Sequence, residues 1–286
     1  MRVLSLFDGI SCARVGLERA GIPITSYTAY EIDKHAIAIA KKNYPDTIHH
    51  GDVRECKPNE DEYDLVIGGS PCQDLSIAKK GRKGLDGDRS GLFWEWVRVW
   101  KAAKPKWFML ENVASMPNKD KDIISTQLGV EPVMFNASLV SAQNRKRLFW
   151  TNIPFMLPDD MGILLKDILQ PDVDEVFYIN KAMKANGKTT GKVGHIGNSD
   201  AQANRVYDVN GKASTLSANG GGLGAKTGLY KNNERIRKLT PIECERLQGL
   251  PDNYTEGVAK THRYKCLGNA FNVDVVTHIL REMCPK

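Results

Sequence analysis

DLVIGGSPCQDLS, residues 64–76, decides how the chain is read. Leu65, Val66 and Ile67 make a short apolar run of strand type, closed by Gly68 and Gly69 and followed by Ser70-Pro71-Cys72-Gln73. A strand that ends on a glycine turn delivers the next side chains to the carboxyl edge of a sheet, where open α/β sheets bind ligands. The side chain delivered here is a cysteine behind a proline of fixed φ. A free cysteine is usually a small hydrophobe under a loop. The rest of the chain has to separate that reading from a nucleophile.

Upstream, residues 3–7 predict a strand, followed by Asp8-Gly9-Ile10 and an N-cap at Ser11 for a helix over 12–20. The free N–H groups of a helix start suit such an opening to a nucleotide, although the full G-x-G-x-x-G is absent. A second strand over 26–30 ends at Glu31, ahead of a helix over 34–43, and a third over 47–50 ends in Gly51-Asp52-Val53. An acid about twenty residues after the glycine turn is placed to accept from ribose hydroxyls. Asp52 is able to accept from an adenine amino group. Either acid alone reads as a turn or cap residue; both at strand ends beside one glycine turn favour an adenosine ligand.

Downstream, a basic, glycine-rich loop runs from Lys79 to Gly91 and is suited to meet phosphate. The helix over 92–103 carries Phe93, Trp96 and Trp100 as a core stripe. A strand over 107–110 ends in Glu111-Asn112-Val113. Adjacent strand ends of a parallel sheet converge, so Cys72 and Glu111 are expected to share a pocket. A helix over 119–128, a strand over 130–137 and a strand over 148–151 follow. In an extended chain Gln143, Arg145 and Arg147 alternate onto one face, and two guanidiniums there suit an anion or a carbonyl oxygen. The βα alternation stops near Pro154, and irregular strand and loop is expected until Thr240-Pro241-x-Glu243 starts a capped helix. A last helix is expected over 273–281.

At 286 residues, 41% hydrophobic and 26% charged, the composition is that of a soluble globular protein. No apolar run approaches the roughly 18 residues that span a membrane, and the first apolar run stops at Asp8, unlike a signal peptide. None of the six cysteines forms a C-x-x-C pair, which argues against zinc or a disulfide framework and for a reducing compartment. No metal is expected. Between residues 178 and 237, ten basic residues against three acids give +7, more than the +6 of the whole chain. A charge run is commonly a solvated face, and it also suits a polyanion.

Together these residues resemble the DNA cytosine-5 methyltransferases. The resemblance rests on Leu6-Phe7-Asp8-Gly9, Gly69-Ser70-Pro71-Cys72-Gln73, Glu111-Asn112-Val113, Gln143-x-Arg145-x-Arg147, Arg246-Leu247-Gln248-Gly249-Leu250-Pro251 and Gly268-Asn269-Ala270, in order and spacing. The catalytic half looks most like the de novo animal enzymes, and the compact chain like a bacterial or phage enzyme. The resemblance implies an α/β, Rossmann-like S-adenosylmethionine-dependent methyltransferase fold with a small, irregular target recognition domain. Residues 1–154 and 237–286 would form the catalytic and cofactor-binding domain, and 155–236 the target recognition domain. By matching position, Phe7, Asp8, Gly9 and Ile10 line the S-adenosylmethionine site. Glu31 takes the ribose, Asp52 and Val53 the adenine, Asn269 and Ala270 the methionine end, and Ile32 and Pro71 complete the site.

The implied chemistry is attack of Cys72 on carbon 6 of a flipped-out cytosine, which activates carbon 5 for methylation. At an unperturbed pKa only about 3% of a thiol is thiolate at pH 7, so cationic neighbours are expected. Glu111 would hold ring nitrogen 3 and the exocyclic amine, Arg147 the carbonyl oxygen at carbon 2, and Arg145 the cysteine region or a phosphate. Gln73, Ser76, Ile77, Ala78, Lys79, Lys80, Arg82 and Lys83 would meet DNA from a closing flap, with Ile77 or a recognition-domain side chain filling the vacated stack. Thr215 would contact phosphate, Gly221 and Gly222 would admit DNA closely, and Lys188, Lys192 and Lys226 would supply salt-dependent affinity. Arg205 and Gln202 are candidate base readers. The expected partner is double-stranded DNA, met by a monomer in the cytoplasm of a bacterial or phage-infected cell, with a cognate restriction endonuclease left open. Two alternatives stand beside this: an RNA (tRNA) cytosine-5 methyltransferase, and an inactive DNA-binding regulatory homologue. The Asp/Asn-Pro-Pro-Tyr/Phe motif of amine methyltransferases is absent.

Overall fold

The apolar runs become the inner strands of one sheet. The computed structural model describes residues 1–71, 84–87, 90–185, 191–218 and 221–283. Strands β1 (Arg2–Leu6), β2 (Ser26–Tyr30), β3 (Ile48–His50), β4 (Leu65–Gly68), β5 (Trp107–Val113), β6 (Val133–Asn136) and β7 (Lys146–Thr151) form a seven-stranded sheet in the order β3-β2-β1-β4-β5-β7-β6. The pairs from β3 through β5 are parallel, and β5 pairs antiparallel with β7. Helices α1 (Cys12–Arg19), α2 (Lys34–Asn43), α3 (Phe93–Ala103) and α4 (Asn118–Leu128) follow β1, β2, β4 and β5. The chain winds outward from β1 to β3, then returns to lay β4 on the other side of β1. The crevice at that reversal is where such sheets bind ligands.

Two features fix this crevice. Leu4, Leu6, Val66, Leu110, Phe93 and Trp96 are buried in one apolar cluster, so the aromatic stripe of α3 is core, as expected. A Cβ at Gly68 would lie 2.2 Å from the Leu6 carbonyl oxygen. Glycine there lets the carboxyl ends of β1 and β4 sit side by side, with Leu6 opposite Gly68. The expected end of β5 at Leu110 is corrected: the strand continues to Val113, because Glu111 and Val113 pair with Phe149 and Arg147 of β7.

The region expected as irregular strand and loop carries a second sheet. Strands β8 (Tyr178–Ile179), β9 (Met183–Ala185), β10 (Lys192–Ile196), β11 (Arg205–Asp208), β12 (Leu229–Asn232) and β13 (Arg235–Arg237) take the order β8-β13-β12-β11-β10-β9. Ile196, Val206, Leu229 and Ile236 form its core. Helix α5 (Pro241–Leu247) has the expected capping box: Thr240 Oγ1 accepts from the Glu243 amide, and Glu243 accepts from the Thr240 amide. Helix α6 (Lys260–Asn269) has no counterpart in the sequence reading, while α7 (Val273–Arg281) has the expected bounds.

The chain divides into two compact units, Met1–Phe135 with Lys146–Leu157 and Val275–Lys286, and Asn136–Arg145 with Pro158–Asp274. The expected domain boundaries differ from this division: 136–145 and 237–274 go with the second sheet, and 155–157 with the first. Glu243 shows the cause. It is fully buried against Arg237 of β13, with bonds of 2.8 and 2.7 Å, and also accepts from the Gln170 amide at 2.9 Å. No helix among the described residues is long and apolar enough to cross a membrane.

Candidate active site

The turn after β1 is wound tightly, with φ of 57° at Phe7, 60° at Gly9 and 61° at Ser11. Asp8 holds it. Its carboxylate accepts from Ser5 Oγ (2.6 Å), Ser11 Oγ (2.6 Å) and Tyr27 Oη (2.7 Å). Ser11 therefore does not cap α1 with its side chain, contrary to expectation. Asp8 shapes the expected cofactor turn through these three hydroxyls, and Ile10 is buried in the interior. Glu31, at the end of β2, accepts from the amides of Gly9 (2.9 Å), Ile32 (2.8 Å) and Asp33 (2.8 Å). Burial holds its carboxyl above the usual range, against the pull of those donors. Asp52, after β3, pairs with the Arg54 guanidinium, which holds its carboxyl below the usual range.

These residues fit an adenosine-bearing ligand by their chemistry. Ribose hydroxyls and an adenine amine are donors, and Glu31 and Asp52 offer carboxylate acceptors at neighbouring strand ends. Ile32, next to Glu31, is 72% exposed. A Cβ at Gly9 would meet nothing within 4 Å, so the turn has open space in front of it. In the second unit, Asn269 is the last residue of α6 and exposed, while Ala270 is buried.

At the end of β4, Ser70 is buried and accepts on its carbonyl (3.2 Å) and Oγ (3.1 Å) from Asn112 Nδ2. Asn112 belongs to a quoted motif but had been given no role of its own. Next to it on β5, Glu111 Oε1 lies 2.7 Å from Arg147 Nε, and both side chains are mostly buried, at 12% and 16% exposure. Glu111 of β5 and Arg147 of β7, expected in separate roles on the base, thus form an ion pair. Pro71 is half-buried. Cys72, Gln73, Ser76, Ile77, Ala78, Lys79, Lys80, Arg82 and Lys83 lie outside the described residues.

Gln143 and Arg145 do not share a strand face with Arg147, because β7 begins only at Lys146. Gln143 is fully buried and donates to the Leu247 carbonyl (3.1 Å) and Gln248 Oε1 (3.2 Å). Arg145 is 3% exposed and donates to the carbonyls of Leu216 (3.3 Å), Gly268 (3.2 Å) and Ala270 (2.7 Å). The expectation that Arg145 holds the cysteine region or a phosphate meets a guanidinium committed to three main-chain oxygens. Arg145→Met would leave buried acceptors short of a donor, at about 1–3 kcal/mol each. A loss of about 3 kcal/mol is expected, read as a lower urea midpoint. Lost activity at unchanged stability would return Arg145 to a substrate role.

In the second sheet, register sets Lys184 opposite His195, and His195 opposite Arg205. Directly paired residues share a face, so the three form a row across β9, β10 and β11 at about 4.8 Å per strand. Arg205 Nε donates to the Asp200 carbonyl at 3.2 Å and lies 3.5 Å from its carboxylate. Its Nη amines meet no partner among the described residues. Much of the segment's positive charge is neutralised internally. Lys192 also pairs with Asp200, Lys212 with Asp160, Lys231 with Glu234, Arg235 with Glu175 and Arg237 with Glu243. The expected use of Lys192 on phosphate is therefore corrected: its side chain is 5% exposed and bonded to Asp200 at 2.6 Å. Lys181, Lys184 and Lys226 have no carboxylate partner among the described residues, and Lys188 lies outside them. Gln202 and Gly221 are exposed. Gly222 has a φ of 104° and would carry a Cβ 3.0 Å from that of Ala203. The Thr215 hydroxyl, expected on phosphate, donates to the Asn144 carbonyl.

The sequence model of one family, C-5 cytosine-specific DNA methylase, matches residues 1–284. The chain belongs to that family. Among its relatives, the Type II methyltransferase M.HhaI of Haemophilus parahaemolyticus is 29% identical over 98% of this chain and 93% of its own. The Type II methyltransferase M1.ScrFI of Lactococcus lactis subsp. cremoris is 30% identical over 99% and 77%. A solved methyltransferase of Entamoeba histolytica has the same fold, with a TM-score of 0.75 at 16% identity over 98% of this chain and 97% of that one. So has a DNMT2 of Spodoptera frugiperda, with a TM-score of 0.74 at 18% identity and 98% coverage of both chains.

Proposed function

We infer that this chain methylates carbon 5 of a cytosine in a specific duplex DNA sequence. The observation that carries the reading is the Glu111–Arg147 pair, placed on the strand whose next residue grips Ser70, two positions before Cys72. Glu31 and Asp52 beside the β1 turn would hold S-adenosylmethionine, which would supply the electrophilic methyl. The chain's own residues do the rest. The Cys72 thiolate adds to carbon 6, which breaks the ring's aromaticity and makes carbon 5 enamine-like. Glu111 accepts from the exocyclic amine and shares a proton with ring nitrogen 3 as charge develops there. Arg147, already oriented by Glu111, donates to the carbonyl oxygen at carbon 2. Carbon 5 takes the methyl as its bond to the sulfonium sulfur breaks, leaving a neutral thioether; loss of the carbon 5 proton to water and elimination of the Cys72 thiolate then restore the ring. Carbon 6 is out of reach in a stacked base, so the cytosine is flipped out at a cost of a few kcal/mol.

The outer row of the second sheet supports DNA as the partner. Arg205 is oriented through Nε with its Nη amines open, the geometry that pairs with O6 and N7 of guanine. Lys184, on the far side of His195 in the same row, suits phosphate. The test is expression in a methylation-free host with genome-wide mapping of 5-methylcytosine. One sequence context, methylated on DNA, is expected; transfer to RNA alone would overturn the reading. Arg205→Ala is expected to relax the mapped context at one position, at about 1–3 kcal/mol of discrimination.

A further inference from the structure

Consecutive residues of a strand point to opposite faces, and β5 uses both faces at Glu111 and Asn112. Glu111 meets Arg147. Asn112 turns the other way and is 1% exposed. Its Nδ2 donates to the Ser70 carbonyl at 3.2 Å and to Ser70 Oγ at 3.1 Å, while its Oδ1 accepts from the Val113 amide at 2.8 Å. This wiring fixes the amide. Turned over, it would set oxygen against the Ser70 carbonyl and NH2 against the Val113 N–H. The paired register of β4 with β5 stops at Gly68 opposite Leu110. Beyond it, the Asn112 amide carries the connection between β5 and the segment that leads to Cys72.

We propose that Asn112 is a positioning residue for the nucleophile: through Ser70 it fixes, relative to Glu111, the segment after β4 that leads to Cys72. One strand then carries both the carboxylate that holds the base and the amide that anchors the attacking segment. A pocket built on separate elements would let the two drift apart. The inference rests on the reading of Cys72 as the attacker of carbon 6. A displacement of about 1 Å at a reacting atom can cost about 100-fold in rate.

Asn112→Asp keeps the side chain's shape and places an oxygen against the Ser70 carbonyl. Its kcat on duplex DNA is expected to fall about 100-fold, with KM for S-adenosylmethionine and Kd for DNA unchanged. The single-turnover rate of covalent trapping on 5-fluorocytosine DNA should fall in parallel. Ser70→Ala keeps the carbonyl acceptor and should fall less. A merely structural role would lower Tm but leave trapping by the folded fraction at the wild-type rate, and that result overturns the proposal. Should Asn112→Asp not fold, Asn112→Ala and Ser70→Ala decide by the same trapping rate. Failure of the wild type to trap would overturn the reading of Cys72 itself. Normal trapping by both the wild type and the Asn112 variants overturns this inference alone.

Discussion

Cys72→Ala is expected to abolish methyl transfer while leaving binding of DNA and cofactor in place. The side chain is the only atom set removed, and every later step depends on its bond to carbon 6. Without that bond carbon 5 stays part of an aromatic ring and does not attack a sulfonium methyl. A fall of at least about 10⁴-fold in kcat/KM is expected, the scale seen when a nucleophile is deleted. The second readout is chemical. A fluorine at carbon 5 cannot leave as the proton does, so the enzyme stalls as a covalent adduct on 5-fluorocytosine DNA. Wild type should form that adduct and the alanine variant should not. The described cysteines, Cys12, Cys56, Cys244 and Cys266, are all buried, so none of these four gives an alternative attachment point. Methylation by the variant at a near-normal rate would sink the mechanism.

The parts of this enzyme that were legible in the sequence obey local rules. Strand 26–30 and helix 34–43 stand where their apolar pattern puts them. The helix at Pro241 starts where Thr240 and Glu243 form a box four residues long. What was misread depends on partners far along the chain. Arg145 looked like a member of an alternating face because its neighbours are Gln143 and Arg147. Its actual acceptors lie 71, 123 and 125 residues away. The end of β5 was placed too early because a charged residue usually closes a buried strand, and only pairing with β7 keeps Glu111 inside it. The second sheet is legible only as irregular strand and loop because its strands are two to five residues long, too short for period-two alternation to register. Helix α6, KTHRYKCLGN, offers too few apolar positions to show a helical stripe.

Glu111→Gln separates the chemistry of the base from the binding of the cofactor. Glutamine matches glutamate in shape but carries no charge and presents one NH2 where a carboxylate oxygen stood. Two losses follow at once. The Arg147 guanidinium, now 2.7 Å from Glu111 Oε1, loses its counter-ion and its fixed orientation toward the base. The ring also loses the partner that shares its proton as negative charge develops after thiolate addition. Both losses fall on the transition state, so kcat should drop about 10²- to 10⁴-fold, the range for a positioned acid–base group. The strand-end acids Glu31 and Asp52 are held by backbone amides and by Arg54, and neither bonds to Glu111 among the described residues, so the Kd for S-adenosylmethionine should not move. Isothermal titration of cofactor into the variant decides the point. Lost cofactor binding would mean that Glu111 supports the fold of the site and not the cytosine. Arg147→Lys is the companion measurement: it keeps the charge but loses the planar fork. If the fork orients the base, this variant should lower kcat as well, again with cofactor affinity intact.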